Sequence, residues 1–215
     1  MRPKMLVFDV GETLVSEERF WTSWAEWLGM PAGTFFAALG AVIERRGDYR
    51  EVFSDARPGI DLVREREKKA EAGLPPGFLA SDLFPDTIPT LQWARAQGYR
   101  LGFAGNHSRA TEEFLKGLGV EADVIGSAER WGVAKPDPRF FEIIVELSGF
   151  DPKGIVYVGD RIDNDVLPAQ ALGMQAIHVE RGPWGVIQAR WPEASSVRLK
   201  IKTLSDLKAV LGHGG

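Results

Sequence analysis

The hydrophobic positions of the chain change period at a few places, and each change predicts an element. Met5, Leu6, Val7 and Phe8 form an unbroken apolar run that Asp9 ends. Such a run suits a strand buried on both faces of a parallel sheet better than a half-exposed one. After Leu14 the spacing turns helical. Phe20, Trp24 and Trp27 predict one amphipathic helix, and Phe35, Leu39, Val42 and Ile43 a second, with Gly29, Pro31 and Gly33 as the break. A third helical stretch runs from about Gly59 to Ala72 and is ended by Gly73, Pro75, Pro76 and Gly77. No strand pattern occurs between Ser16 and about Phe84. The stripe of Trp21, Trp24 and Trp27 could line a pocket, but core is the ordinary use of aromatic residues at helical spacing and the stripe is assigned there.

From Pro85 onward the pattern alternates between strand and helix. A helix through Leu91, Trp93 and Ala94 stops at Gly98, and Tyr99 to Ala104 reads as the second strand, with Gly105 to Ser108 as the loop at its end. Residues 109–118 form a helix closed by Gly119, and Ala122 to Gly126 a short third strand. Pro138 opens a helix that Gly149 ends. Gly154 to Gly159 is the fourth strand, Asn164 to Leu172 a helix, and Met174 to Val179 the fifth strand. The tail ends in a short helix placed on the sheet edge. Repeated strand, loop and helix units predict an α/β fold, a doubly wound parallel sheet. The helical residues 16–84 divide it into 1–15 and 85–215.

Composition narrows the function classes. The chain has 215 residues, 44% of them apolar, enough for a packed core. A formal net charge of −4 opposes nucleic-acid binding, which needs a clustered basic face. With no cysteine, disulfides, thiolate zinc sites and cysteine nucleophiles are excluded together. The first apolar run is too short for a signal peptide, and no stretch approaches a membrane span. The expected address is therefore the cytoplasm, with no membrane partner.

Asp9 stands at the carboxyl end of a buried strand, followed by Gly11 and a polar turn, where open α/β sheets place their ligands; this stretch alone reads equally as a turn cap. Together with Asn106 after the second strand, Lys135 in GVAKPDP and the acidic run VGDRIDND at 158–165, it makes the chain resemble the haloacid dehalogenase (HAD) superfamily over nearly its whole length. The resemblance implies a HAD-type Rossmann-like core, with residues 16–84 as a small helical cap that chooses the substrate. Asp9, Asp160 and Asp165 are candidates to sit together, and such carboxylates repel one another unless a cation is bound. Magnesium is the expected cofactor, a hard ion that takes a few carboxylates plus waters and phosphate oxygens.

The resemblance further implies a role for each matching residue. Asp9 matches the nucleophile that becomes an aspartyl phosphate, and Lys135 the lysine that neutralises it and the phosphoryl oxygens. Gly11 occupies the position whose carbonyl completes the metal site, Asp160 matches a direct ligand, and Asp165 the acid that positions metal-bound water. Gly105 and Asn106 occupy the phosphoryl-binding second motif. Two positions depart from the family. The usual acid-base aspartate two residues after the nucleophile is Gly11, and the usual Ser or Thr of the second motif is Gly105. Glu12 and His107 are the nearby substitutes, each read first as an ordinary turn or loop residue. Arg181 and Trp184 are rim candidates that read equally as a turn.

The expected function is a magnesium-dependent phosphatase acting on a small phosphorylated metabolite. One rival is a phosphometabolite-binding protein that has lost turnover, for which Gly11 and Gly105 speak. The other, a 2-haloacid dehalogenase, needs no metal and gives no reason to keep Asp160 and Asp165.

Overall fold

The computed structural model describes residues 3–74 and 77–212; Pro75 and Pro76, read above as helix stops, lie outside them. The chain divides into two compact units, Met1–Ser16 with Leu83–Gly215, and Glu17–Asp82. It begins with strand β1 (Met5–Phe8), every residue of which is fully buried, as its uninterrupted apolar run requires.

The Glu17–Asp82 unit holds α1 (Glu18–Trp27), α2 (Ala32–Glu44), α3 (Glu51–Ala56) and α4 (Leu62–Glu71). Trp21, Trp24, Phe35 and Phe53 are buried, with Trp24 edge-on to Phe53 at 5.0 Å and Trp21 stacked on Phe35 at 6.0 Å between ring centroids. Trp27 departs from the expected core stripe. It is only partly buried, because its indole N–H donates to Glu65 at 2.7 Å. Helix α4 starts later than Gly59, where the Asp61 carboxylate accepts from the Val63 and Arg64 amides and caps it. The short α3 has too few residues to show a period in the sequence.

The second unit continues with α5 (Thr87–Ala96), β2 (Arg100–Gly105), α6 (Arg109–Lys116), β3 (Val124–Ser127), α7 (Ala128–Trp131), α8 (Pro138–Ser148) and β4 (Ile155–Gly159). Then come α9 (Leu167–Ala171), β5 (Gln175–Val179), α10 (Gly182–Gln188), β6 (Leu199–Ile201) and α11 (Leu207–Gly212). All strands are parallel, in the order β3-β2-β1-β4-β5-β6. The strand order reverses between β1 and β4, so their carboxyl ends form the crevice where such sheets bind ligands.

Three details differ from the expectations. Gly105 is the last residue of β2, in register with Ser127, rather than loop. The tail contributes a sixth strand along β5 before its helix, with Ile177 opposite Leu199; three residues are too few for alternation to be seen. The expected helix over 164–172 is a π-helical turn at Ile162–Val166 followed by the short α9.

Candidate active site

The site is built from the ends of β1, β2 and β4. Phe8 pairs with Val158, and the Asp9 amide extends the ladder by donating to the Val158 carbonyl at 2.8 Å. Asp9 and Asp160 therefore leave neighbouring strands on the same edge. The π turn after Asp160 brings back a third carboxylate: the Val166 amide bonds to the Arg161 carbonyl five residues earlier, at 3.1 Å. Such wide turns are often found at functional sites. Asp165 is fully buried and accepts the Arg161 amide at 3.0 Å. Gly159 makes this possible, since a Cβ there would lie 2.4 Å from Asp165 Oδ2.

Lys135 arrives from the loop between α7 and α8. The Asn106 side-chain amide clasps its backbone from both sides, accepting from the Lys135 N–H at 2.8 Å and donating to its carbonyl at 2.9 Å. The amide of Asn106 is thus spent on placing the lysine. The buried ammonium donates to Asp9 Oδ1 at 2.6 Å, Asp165 Oδ1 at 2.5 Å and the Tyr157 hydroxyl at 3.1 Å.

Asp9, Asp160 and Asp165 offer oxygens that lie within 4.8 Å of one another. Burial, then the charges of Asp165, Asp9 and Glu12, push the Asp160 carboxyl well above the usual range, with Arg161 opposing. Burial also raises Asp165, to about 6, although Lys135 pulls the other way. For Lys135 burial favours the neutral amine, but Asp165 and Asp9 outweigh it and hold the pKa well above the ordinary value. A single lysine thus stands among three buried carboxylates. Hard oxygen donors with elevated pKa values fit a divalent hard cation. Lys135 and the Arg161 amide occupy both oxygens of Asp165, so Asp160 and Asp9 would be the better placed ligands of such a cation.

Gly105 lies against Asp9: a Cβ there would stand 2.4 Å from Asp9 Oδ1 and 3.1 Å from the His107 ring. The space of the family's hydroxyl residue is thus taken by the Asp9 carboxylate itself. Burial pulls the His107 pKa down to about 4, with Lys135 adding to it and the Ser108 carbonyl opposing. His107 is therefore neutral near pH 7.

Glu12 is more than a turn residue. It is 5% exposed, its φ of 51° is unusual for a residue with a side chain, and it packs against Gly182, where a Cβ would fall 2.5 Å from Glu12 Cγ. A sequence signal for this existed: glutamate stands where the turn needs a positive φ, next to a missing aspartate. The rim candidates are engaged elsewhere. Arg181 pairs with Asp86 at 2.8 Å, and Trp184 is buried with the Arg161 guanidinium 5.3 Å from its ring.

Residues 3–173 match the family model of haloacid dehalogenase-like hydrolases. The chain is similar to the glyceraldehyde 3-phosphate phosphatase of Methanopyrus kandleri, 35% identical over 50% of this chain and 47% of that protein. It thus spans about half the length of that relative. Similarity to the phosphoserine phosphatase of Thermus thermophilus is longer, 29% identical over 86% of this chain and 76% of the relative. The crystal structure of a HAD phosphatase from Thermococcus onnurineus superimposes with a TM-score of 0.61 at 25% identity, covering 97% of this chain and 98% of that one. Sequence match, fold and strand-end carboxylates agree: the chain belongs to the haloacid dehalogenase-like hydrolase family.

Proposed function

We propose that the protein is a magnesium-dependent phosphatase of small phosphorylated metabolites, working through an aspartyl phosphate on Asp9. The observation that carries this reading is Lys135, buried with its ammonium 2.6 Å from Asp9 inside a three-carboxylate centre. Both relatives named above are phosphatases of small phosphate monoesters, which supports the substrate class.

Asp160 and Asp9, with the Gly11 carbonyl, would hold the cation, and Asp165 would orient its water. Bound there, magnesium would offset negative charge and orient the phosphate. The remaining steps belong to the chain. An Asp9 carboxylate oxygen bonds to phosphorus as the ester P–O bond breaks, and the departing alkoxide takes a proton from solvent water. Water then attacks the same phosphorus, the bond between the Asp9 oxygen and phosphorus breaks, the water's surplus proton returns to solvent, and phosphate departs with Asp9 restored. Lys135 hydrogen-bonds the nucleophile and balances the phosphoryl charge. Gly105 and Asn106 supply the second motif's backbone, and Asn106 acts by holding Lys135. Substrate choice is assigned to the helical Glu17–Asp82 unit, read as a cap.

Gly11 provides no general acid, a contribution usually worth about a hundred to ten-thousand-fold in rate. Together with Gly105 this favours a second reading, a phosphometabolite-binding protein without turnover. A panel of phosphate esters including p-nitrophenyl phosphate, assayed with magnesium and with excess EDTA, separates the two. Hydrolysis that requires magnesium is expected. Asp9→Asn should abolish it while the circular dichroism spectrum stays native; substantial residual turnover in that variant excludes the covalent route. Binding of phosphate esters with no product from any of them would establish the second reading, and EDTA-resistant release of halide from 2-haloacids a dehalogenase.

A further inference from the structure

Tyr157 lies in the middle of β4, paired with Val7 on one side and Ala176 on the other, and is fully buried. Its hydroxyl donates to the Ala104 carbonyl at 2.7 Å, on β2, two strands away with β1 between. That bond consumes its only proton, so the oxygen can present only lone pairs to Lys135, whose ammonium donates to it at 3.1 Å. The ammonium has three protons and three acceptors: Asp9, Asp165 and Tyr157.

These three acceptors are not equivalent during turnover. The Asp9 carboxylate gives up its charge when it is phosphorylated, and Asp165 would also orient the water of a bound cation. Tyr157 is the neutral acceptor of the three, and its hydroxyl, fixed on the Ala104 carbonyl, takes no part in the transfer. Burial keeps its phenol protonated by raising its pKa well above the ordinary value, with Lys135 opposing, so the donor to Ala104 persists.

We propose that Tyr157 is a positioning residue of the site: through its fixed hydroxyl it holds the Lys135 ammonium in place while the Asp9 carboxylate is converted to the acyl phosphate and back. Because Ala104 directly precedes Gly105, the same hydroxyl ties the lysine to the end of β2 that lacks the family's hydroxyl side chain. The proposal rests on the aspartyl-phosphate reading of Asp9, and its test contains an arm that does not.

The test uses Tyr157→Phe in the full chain. Lysine-selective ¹⁵N labelling gives the Lys135 ammonium resonance, identified by its loss in Lys135→Met. In Tyr157→Phe that resonance should shift and its protons exchange faster with water, while turnover of p-nitrophenyl phosphate falls about tenfold, the scale of one lost hydrogen bond, with KM little changed. Incorporating 3-fluorotyrosine at position 157 preserves the ring and the hydroxyl but weakens the acceptor, and should move the resonance in the same direction in a chain that folds even if Tyr157→Phe does not. An unchanged Lys135 resonance, or a changed resonance with unaltered turnover, overturns the proposal. If the wild-type chain hydrolyses nothing, the phosphatase reading falls and the resonance decides whether Tyr157 holds the ammonium.

Discussion

One oxygen of Asp9 is bound by Lys135, and the same oxygen fills the space beside Gly105. Restoring the family's hydroxyl at 105 therefore requires Asp9 to move, and Gly105→Ser is a poor route to a better enzyme. Position 11 is different. The positive φ of this turn falls on Glu12, at 51°, and not on Gly11, so an aspartate at 11 escapes the left-handed backbone penalty of about 1–2 kcal/mol. Gly11→Asp should raise turnover most for substrates with poor leaving groups, such as sugar phosphates, and least for p-nitrophenyl phosphate, whose leaving group departs without a proton. The ratio of the two rates is the measurement. An unchanged ratio in a folded, magnesium-binding variant would show that another group already protonates the alkoxide or that chemistry is not the slow step. His107 is neutral near pH 7 because burial holds its pKa at about 4, which leaves Glu12→Gln as the next variant.

The π turn after β4 exists to fold Asp165 back over Gly159. The carboxylate is pinned by Lys135 on one oxygen and by the Arg161 amide on the other, so it cannot retreat from a new methyl group. Gly159→Ala, whose Cβ would lie 2.4 Å from Asp165 Oδ2, should destabilise the protein by about 1–3 kcal/mol, as overpacking of a tight interior does. Urea denaturation reads that loss, and calorimetry should show weaker magnesium binding than in the parent. Native stability and native magnesium affinity together would mean that Asp165 adopts another position in solution. The clasp of Asn106 on the Lys135 backbone belongs to the same logic: two loops from different crossovers are joined so that an ammonium stands at a strand end.

For the whole molecule, the centre gathers buried carboxylates whose mutual repulsion a bound cation would relieve. The folded-state pKa of Asp160 is raised, and that of Asp165 is raised to about 6, against roughly 3.9 in an unfolded chain. These groups contribute stability that is fully present below the unfolded value and is lost as pH rises through the folded one. The metal-free protein should therefore lose part of its stability between about pH 4 and pH 6. If magnesium binds here it takes the ionised carboxylates, so its stabilisation should be larger at pH 7.5 than at pH 5. At a hundredfold excess over Kd it is worth about 2.7 kcal/mol, or about 5–10 °C in Tm for a chain of this size. A thermal shift equal at both pH values would place magnesium away from these carboxylates.

Much was legible in the amino-acid order. The apolar run Met5–Phe8 ending in Asp9, and Gly154–Gly159 ending in Asp160, identify buried strands and the carboxylates at their carboxyl ends, the edge where such sheets bind ligands. Lys135 was visible only through its resemblance to a motif, since nothing local to GVAKPDP says that its ammonium is buried. What the chain's linear pattern does not contain is distance across the sheet. The adjacency of β1 and β4 comes from the reversal of strand order, and it alone turns two separate aspartates into one centre. The same holds for Tyr157, which reads as one more apolar strand residue until its hydroxyl is seen between Ala104 and Lys135. Short elements such as β6 and the π turn escape for a related reason: they are shorter than the period needed to recognise them, and backbone pairing or a buried carboxylate from elsewhere in the fold decides their shape.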